Sequence, residues 1–331
     1  MTGRAPVGVI GCGSWGTTIA QLAARAGNEV RLWGRRQKVC DEINSTRRSL
    51  SYTGDVELDE RITATAHLEE LGACRPLFVV VPSQAFREVV RELGDHVDGA
   101  HLLIHATKGF ELGTFRRMSE IILEETCCRK VGVLAGPNLS GEILAGQPAV
   151  TVVSSRFPEV IDAARGALAG TSFRIYSNDD PVGVEIAGAL KNVIALATGF
   201  IEGLGLGYNT RAALLTRGMS EIARLGMHLG AVERTFSGLS GIGDLIATSS
   251  TPKSRNFRVG MELGRGRTLD DILESLGHVA EGVHTTRAVH AFAQRRRIDL
   301  PLTAAVYALI SGEVSPEEVI PRLMSREVGG E

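Results

Sequence analysis

The segment that most constrains this chain lies at its start. An apolar run, Val7-Gly8-Val9-Ile10, leads into Gly11-Cys12-Gly13-Ser14-Trp15-Gly16. An alanine-rich amphipathic stretch from Thr17 to Gly27 follows. A strand, a turn spaced G-x-G-x-x-G and a helix in that order form a cradle for a pyrophosphate. Gly11 can take the tight turn, Gly13 lets the main chain approach a ligand, and Gly16 lets the helix pack on the strand. The phosphates then meet free N–H groups at the positive end of the helix. Gly11, Gly13, Ser14, Trp15 and Gly16 are therefore candidate dinucleotide contacts; the competing reading is an ordinary strand-to-helix turn.

The second strand, Glu29-Val30-Arg31-Leu32-Trp33, runs into Gly34-Arg35-Arg36. An NAD-selective site usually places an acid here, to accept bonds from the ribose 2′-hydroxyl. Two arginines stand instead, and a guanidinium matches a 2′-phosphate in charge and geometry. NADP(H) is expected to bind at least as well as NAD(H). Arg35, nearer the strand end, is the better candidate; Arg36 reads equally well as a solvated surface charge.

Further short apolar runs follow at Leu77–Val81, Leu102–His105, Val131–Leu134, Val150–Val153 and Phe173–Tyr176, separated by helical stretches. Such runs argue for a parallel sheet covered on both faces. After about Pro181 the strand signals stop. Helices are expected near 183–203, 209–229, 256–264, 268–275, 282–295, 302–311 and 316–324. The fold class is thus α/β: a Rossmann-like doubly wound sheet over residues 1–182, then an all-α substrate and catalytic domain over 183–331. The length of 331 residues suits two domains. A net charge of −2 gives no electrostatic case for nucleic acid or an anionic membrane. No apolar run approaches the ~20 residues of a spanning helix, and the glycine turn interrupts any signal-peptide core. Five cysteines with no metal-ligand spacing point to a reduced, cytoplasmic protein without a structural metal.

Residues just past three strands (Val81-Pro82-Ser83, Ala106-Thr107-Lys108-Gly109-Phe110 and Ala135-Gly136-Pro137-Asn138) would line the carboxyl edge of the sheet, where open α/β sheets bind ligands. Lys108 at that edge is a candidate anion or substrate contact, or a salt bridge closing a loop.

In the helical half, Ile186, Leu190, Val193, Ile194, Ala197 and Ile201 form one apolar stripe at helical spacing. Lys191 lies on its shoulder. Crowding toward the stripe would lower its pKa to roughly 7–8, suited to reversible proton transfer. The alternative, which helical spacing alone favours, is snorkelling to water. The glycines of Gly238-Leu239-Ser240-Gly241-Ile242-Gly243 argue for a loop, with Asp244 as N-cap of the next helix. Ser254-Arg255-Asn256, at a helix start, combines a hydroxyl, a guanidinium, an amide and free N–H groups, a set suited to phosphate.

Together with Val81-Pro82-Ser83-Gln84, Thr107-Lys108-Gly109, Gly136-Pro137-Asn138, Gly188-Ala189-Leu190-Lys191-Asn192, Asn209-Thr210-Arg211-Ala212-Ala213-Leu214 and Val279-Ala280-Glu281-Gly282-Val283, these motifs run nearly end to end. The chain resembles the bacterial type of NAD(P)-dependent glycerol-3-phosphate dehydrogenase. The resemblance implies reversible reduction of dihydroxyacetone phosphate to sn-glycerol 3-phosphate, with NADP or NAD as cofactor, feeding glycerophospholipid synthesis. It implies that Lys191 is the proton donor and acceptor. It places Lys108, Gly136, Asn138, Lys191, Asp244, Ser254, Arg255 and Asn256 on the substrate. It adds Lys108, Ser140, Arg255, Val279 and Glu281 to the cofactor contacts, and it implies a homodimer. The chain has Asn138 and Ser140 where family members often carry Ser and Ala, and Ser45–Asp55 also departs from the usual pattern. Two other readings compete: a hydroxyacid or 6-phosphogluconate-type dehydrogenase of the same plan, and a non-catalytic NADP-binding redox sensor.

Overall fold

The computed structural model describes residues 5–170, 172–276 and 280–324. The chain divides into two compact units, Met1–Lys108 with Arg116–Glu185, and Gly109–Phe115 with Ile186–Glu331. A stack of rings, Phe110 on Phe115 at 4.3 Å and Phe115 on Phe292 at 4.0 Å, ties the short excursion to the second unit. The contiguous division at 182/183 read from sequence does not contain this excursion.

The first unit alternates β1 (Val7–Ile10), α1 (Ser14–Arg25), β2 (Val30–Trp33), α2 (Gln37–Thr46), α3 (Leu50–Thr53), β3 (Ile62–Thr65), β4 (Leu77–Val79), α4 (Phe86–Gly94), β5 (Leu102–His105), α5 (Met118–Glu125), β6 (Lys130–Ala135), α6 (Ser140–Leu144), β7 (Ala149–Ser155), α7 (Pro158–Leu168) and β8 (Phe173–Asn178). The sheet order is β3-β2-β1-β4-β5-β6-β7-β8. The chain reverses direction across the sheet between β1 and β4, the switch point where such sheets bind ligands. Alternate residues of each strand face opposite ways and feed separate cores. Val9, Phe78 and Ile104 pack with Ile19, Ala23 and Ala164 on one face. Ile10, Val79 and Leu103 pack with Phe86, Val90 and Ile121 on the other.

Two features depart from the sequence reading. β3 was not foreseen: Ile62-Thr63-Ala64-Thr65 is a four-residue edge strand with a threonine at every second position, so it carries no continuous apolar run. The sheet is also not wholly parallel. β7 runs antiparallel to β6, with Ala135 opposite Val152, and β8 follows β7 in parallel. The connection through α6 returns the chain down the sheet, so that β7 lies beside β6 without a crossover.

Within this unit Glu185 is buried. Its carboxylate accepts bonds from Ser119 N–H at 2.9 Å, from the Ser119 hydroxyl at 2.7 Å and from the Arg117 guanidinium. His105 Nε2 stands 3.0 Å from Glu185 Oε1. Burial alone would raise this carboxyl, but the imidazole, the guanidinium and the amide outweigh it and hold the pKa at about 2.

The second unit contains α8 (Pro181–Gly203, which begins in the first), α9 (Tyr208–His228), α10 (Asp244–Ser249), α11 (Arg255–Gly264), α12 (Leu269–Leu276), α13 (Glu281–Arg296), α14 (Pro301–Ile310) and α15 (Pro316–Met324). Apart from α10, for which the sequence reading gave no range, these follow the expected helices to within a few residues. α8 is not an amphipathic helix with one stripe: Gly183 to Ile201 is buried on every side. Contrary to the sequence reading, it is long and apolar enough to cross a membrane, the one such helix among the described residues, and its 183–201 stretch lies inside the protein.

A depressed carboxyl stabilises the fold above its unfolded pKa, here 4.5, and loses that contribution as pH falls toward 2. The urea midpoint of the wild type should therefore hold down to about pH 5 and fall below it. Glu185→Ala, which removes the acceptor of the Ser119 amide and hydroxyl and leaves Arg117 paired only with Glu120, should cost about 1–3 kcal/mol near neutral pH. A variant as stable as wild type would contradict this.

Candidate active site

The first unit carries the dinucleotide cradle at the carboxyl edge of its sheet. Gly11 N–H donates to Trp33 O at 2.9 Å, and Val80 N–H donates to Ile10 O at 2.8 Å. The residue takes a φ of +119°, and a Cβ there would stand 2.5 Å from Val80 O. A Cβ on Gly16 would lie 1.7 Å from Gly11 O, whereas the space beside Gly13 is open. Thus Gly11 and Gly16 bring helix and turn together, and Gly13 leaves room for a ligand. The N-cap of α1 is Gly13, no side chain caps it, and no acid occupies the first turn. Backbone donors at this helix end are available to an anion. Ser14 and Trp15 form the half-exposed first turn.

Past β2, Arg35 and Arg36 are both exposed. Arg36 donates to the Tyr52 hydroxyl at 2.6 Å, with its guanidinium 5.6 Å from the ring centroid. The Ser45–Asp55 segment therefore contributes a side chain to this edge, which the sequence reading missed. The signal was an aromatic hydroxyl within reach of an arginine pair. Lys108 is half-buried after β5, where the Thr107 hydroxyl donates to Val81 O at 2.7 Å and joins two edge loops. After β6 come Gly136, Asn138 and Ser140, the last being the first residue of α6.

The second unit brings together most of the remaining candidates. α8 and α11 cross in close contact. A Cβ on Gly199 would stand 2.0 Å from Phe257 O, on Gly203 2.2 Å from Met261 O, on Gly260 1.9 Å from Leu196 O, and on Gly264 2.4 Å from Phe200 O. Glycines spaced by four on each helix thus let bare backbones touch. This register sets the start of α11 level with Asn192. Asn192 O and Asn256 Oδ1 both lie within 3 Å of the point where a Gly282 Cβ would stand. Asn256 Oδ1 accepts from Gly282 N–H at 3.0 Å. The amide expected on a phosphate therefore has its acceptor end committed to capping α13, and only its NH₂ end suits an anion. Ser254 is the N-cap of α11, accepting from Phe257 N–H at 3.4 Å, and Arg255 is exposed beside it. Glu281 opens α13, whereas Val279 falls outside the described residues.

Lys191 does not snorkel. Its side chain is 7% exposed and pairs with Asp244, which is 1% exposed. The Lys191 ammonium also donates to the Thr248 hydroxyl at 2.5 Å, and that hydroxyl donates to Asp244 Oδ1 at 3.3 Å. A buried ammonium is costly to desolvate unless a carboxylate and hydrogen bonds compensate it, and both are present. Asp244 is not an N-cap. Leu239–Gly243 winds as a π-helical turn instead of a loop, Gly243 takes the cap position, and Asp244 is the first residue of α10. The glycines are used for packing: a Cβ on Gly241 would stand 2.1 Å from Phe236 O. Thr248 was missed, though its spacing of four from Asp244 places both on one helix face.

Models of two halves of one family match this chain. The N-terminus of NAD-dependent glycerol-3-phosphate dehydrogenase covers residues 6–160, and its C-terminus covers 180–321. The chain belongs to this dehydrogenase family. It is 42% identical over 322 residues to glycerol-3-phosphate dehydrogenase [NAD(P)+] of Bacillus anthracis, covering 96% of this chain and 95% of that one. The protein of the same name from Shouchella clausii is 42% identical over 325 residues, 97% and 96% of the two chains. The crystal structure of glycerol-3-phosphate dehydrogenase from Coxiella burnetii superposes with a TM-score of 0.94 at 35% identity, covering 98% and 99%.

If Arg35 reads a 2′-phosphate, Arg35→Ala should raise the Michaelis constant for NADPH by about tenfold, with little change for NADH, as expected for one charged hydrogen bond. Equal effects on both cofactors, measured by absorbance, would remove Arg35 from this role.

Proposed function

We propose that the protein reduces dihydroxyacetone phosphate to sn-glycerol 3-phosphate, reversibly, with NADPH or NADH. The observation that carries this reading is the buried Lys191–Asp244–Thr248 cluster in the same helical unit as the Ser254-Arg255 helix start. Gly11, Gly13, Ser14, Trp15 and Gly16 would hold the cofactor pyrophosphate, and Arg35 and Arg36 the ribose side. Lys108, Ser140, Arg255, Val279 and Glu281 complete the proposed cofactor contacts. Bound nicotinamide supplies or takes the hydride.

Arg255 and the free N–H groups of α11 hold the substrate phosphate, with the Asn256 NH₂ as a further donor. Charge developing on the carbonyl oxygen is met by the Lys191 ammonium, which donates its proton there. Asp244 and Thr248 hold Nζ in one place, so little reorganisation is needed at the moment of transfer. In the reverse direction the neutral amine of Lys191 accepts the hydroxyl proton. Lys108, Gly136 and Asn138 orient the ketone from the sheet edge. Glycerol phosphate made this way feeds phospholipid synthesis. All five cysteines are unbridged, in keeping with a reduced, cytoplasmic setting. A homodimer is proposed on family likeness, and a light-scattering mass of about twice 35.3 kDa would bear it out.

Adding dihydroxyacetone phosphate to protein and NADPH should bleach the reduced-cofactor absorbance. Lys191→Ala should lower kcat by about 10²–10⁴-fold while NADPH fluorescence titration is unchanged. Arg255→Ala should weaken use of the phosphorylated ketone by about 1.5–3 kcal/mol, and affect free dihydroxyacetone far less. A Lys191→Ala protein with near-normal turnover would refute the assignment.

A further inference from the structure

The antiparallel strand β7 has a consequence at the sheet edge. Strands β1, β4, β5 and β6 present their carboxyl ends there, but β7 presents its amino end, and the register that sets Ala135 opposite Val152 puts Thr151 against Gly136. Thr151 is fully buried and touches three successive parts of the substrate loop. Its hydroxyl donates to Ala135 O at 3.2 Å. It accepts from Asn138 Nδ2 at 2.8 Å. Its Cα and Oγ1 lie 3.1 and 3.3 Å from where a Gly136 Cβ would stand, at a backbone φ of +156° that favours glycine.

This chain of bonds has a direction. Because the threonine proton is given to Ala135 O, its oxygen receives the Asn138 amide as donor, and the two ends of that amide are thereby told apart. Asn138 Oδ1 is then left buried with no partner. An orphaned acceptor is costly, and such a group is explained when a ligand completes it. An acceptor cannot serve a phosphate. Of the groups on the proposed ketone, the terminal hydroxyl is the donor.

We propose that Thr151 is a positioning residue that aims Asn138 Oδ1 at the free hydroxyl of the substrate, so that the pair selects hydroxylated ketone phosphates over their deoxy counterparts. This rests on the dehydrogenase reading above. Neither Thr151 nor any residue of β7 belongs to the motifs that carry the family resemblance.

The test compares dihydroxyacetone phosphate with acetol phosphate, which has a methyl group in place of the terminal CH₂OH. The wild type should prefer the hydroxylated ketone strongly in kcat/KM, since a site built around a hydroxyl rejects the analogue lacking it. Thr151→Val keeps the side-chain shape but removes the hydroxyl. It should lower that preference by about tenfold or more, the equivalent of one buried hydrogen bond, with the loss confined to dihydroxyacetone phosphate and NADPH affinity unchanged. Thr151→Ser should restore the preference to within about threefold of wild type, because the donor and acceptor return. Asn138→Ala should reproduce the Thr151→Val ratio, and it carries the test should the valine variant not fold. A preference unaltered in Thr151→Val and Asn138→Ala, or an equal fall on both ketones that serine does not rescue, would overturn the proposal. A wild type that reduces neither ketone would instead overturn the dehydrogenase reading beneath it.

Discussion

The contact between the bare backbones of α8 and α11 governs the helical unit. Four glycines, two on each helix, remove the side chains that would hold the axes apart, and carbonyls of one helix sit where a Cβ of the other would be. Packing at such range leaves few alternative registers. Once it is set, the start of α11 lies level with Asn192, and the Asn256 side chain can reach the first turn of α13. The phosphate-suited helix start and the lysine are thus placed by side chains that are absent.

Lys191 illustrates why burial and charge have to be considered together. Alone among apolar neighbours, an ammonium would lose far more hydration than packing returns. Asp244 and Thr248 make its position tolerable and give its nitrogen a fixed direction. The same desolvation strengthens its interaction with any charge that develops beside it. In the proposed reaction this arrangement makes Lys191 a proton donor whose position is set in advance.

Much of this was legible in the sequence because it depends on local pattern. The glycine turn after β1, the apolar runs of the inner strands and the helix boundaries of the second half follow from periodicity and turn chemistry. What escaped depends on partners distant in the chain. β3 is short and half threonine, so its strand character comes from pairing with β2. The reversal of β7 is not legible in the composition of Val150–Val153, which reads alike in either direction. Lys191 looked like a shoulder residue because α11 and the other elements that cover α8 all round cannot be seen in its own helix. Asp244 looked like a cap because the competing claim on its carboxylate comes from a residue far upstream. In the helical unit the residue types at Lys191, Asp244 and Ser254-Arg255-Asn256 are legible in the sequence, and the burial of the Lys191–Asp244 pair with Thr248 is set by the fold.

The burial of α8 also bears on how the chain is made. This helix leaves the ribosome before α11, the partner whose glycines receive it, has been translated. In that interval α9, whose Gly218 sits against Ile194, can cover one side of a greasy rod long enough to span a bilayer, while the face that takes α11 stays open. That face stays exposed to water until the C-terminal third of the chain emerges. Substitutions that slow closure of the glycine seam would lower cellular yield through clumping or degradation before they altered any property of the finished enzyme.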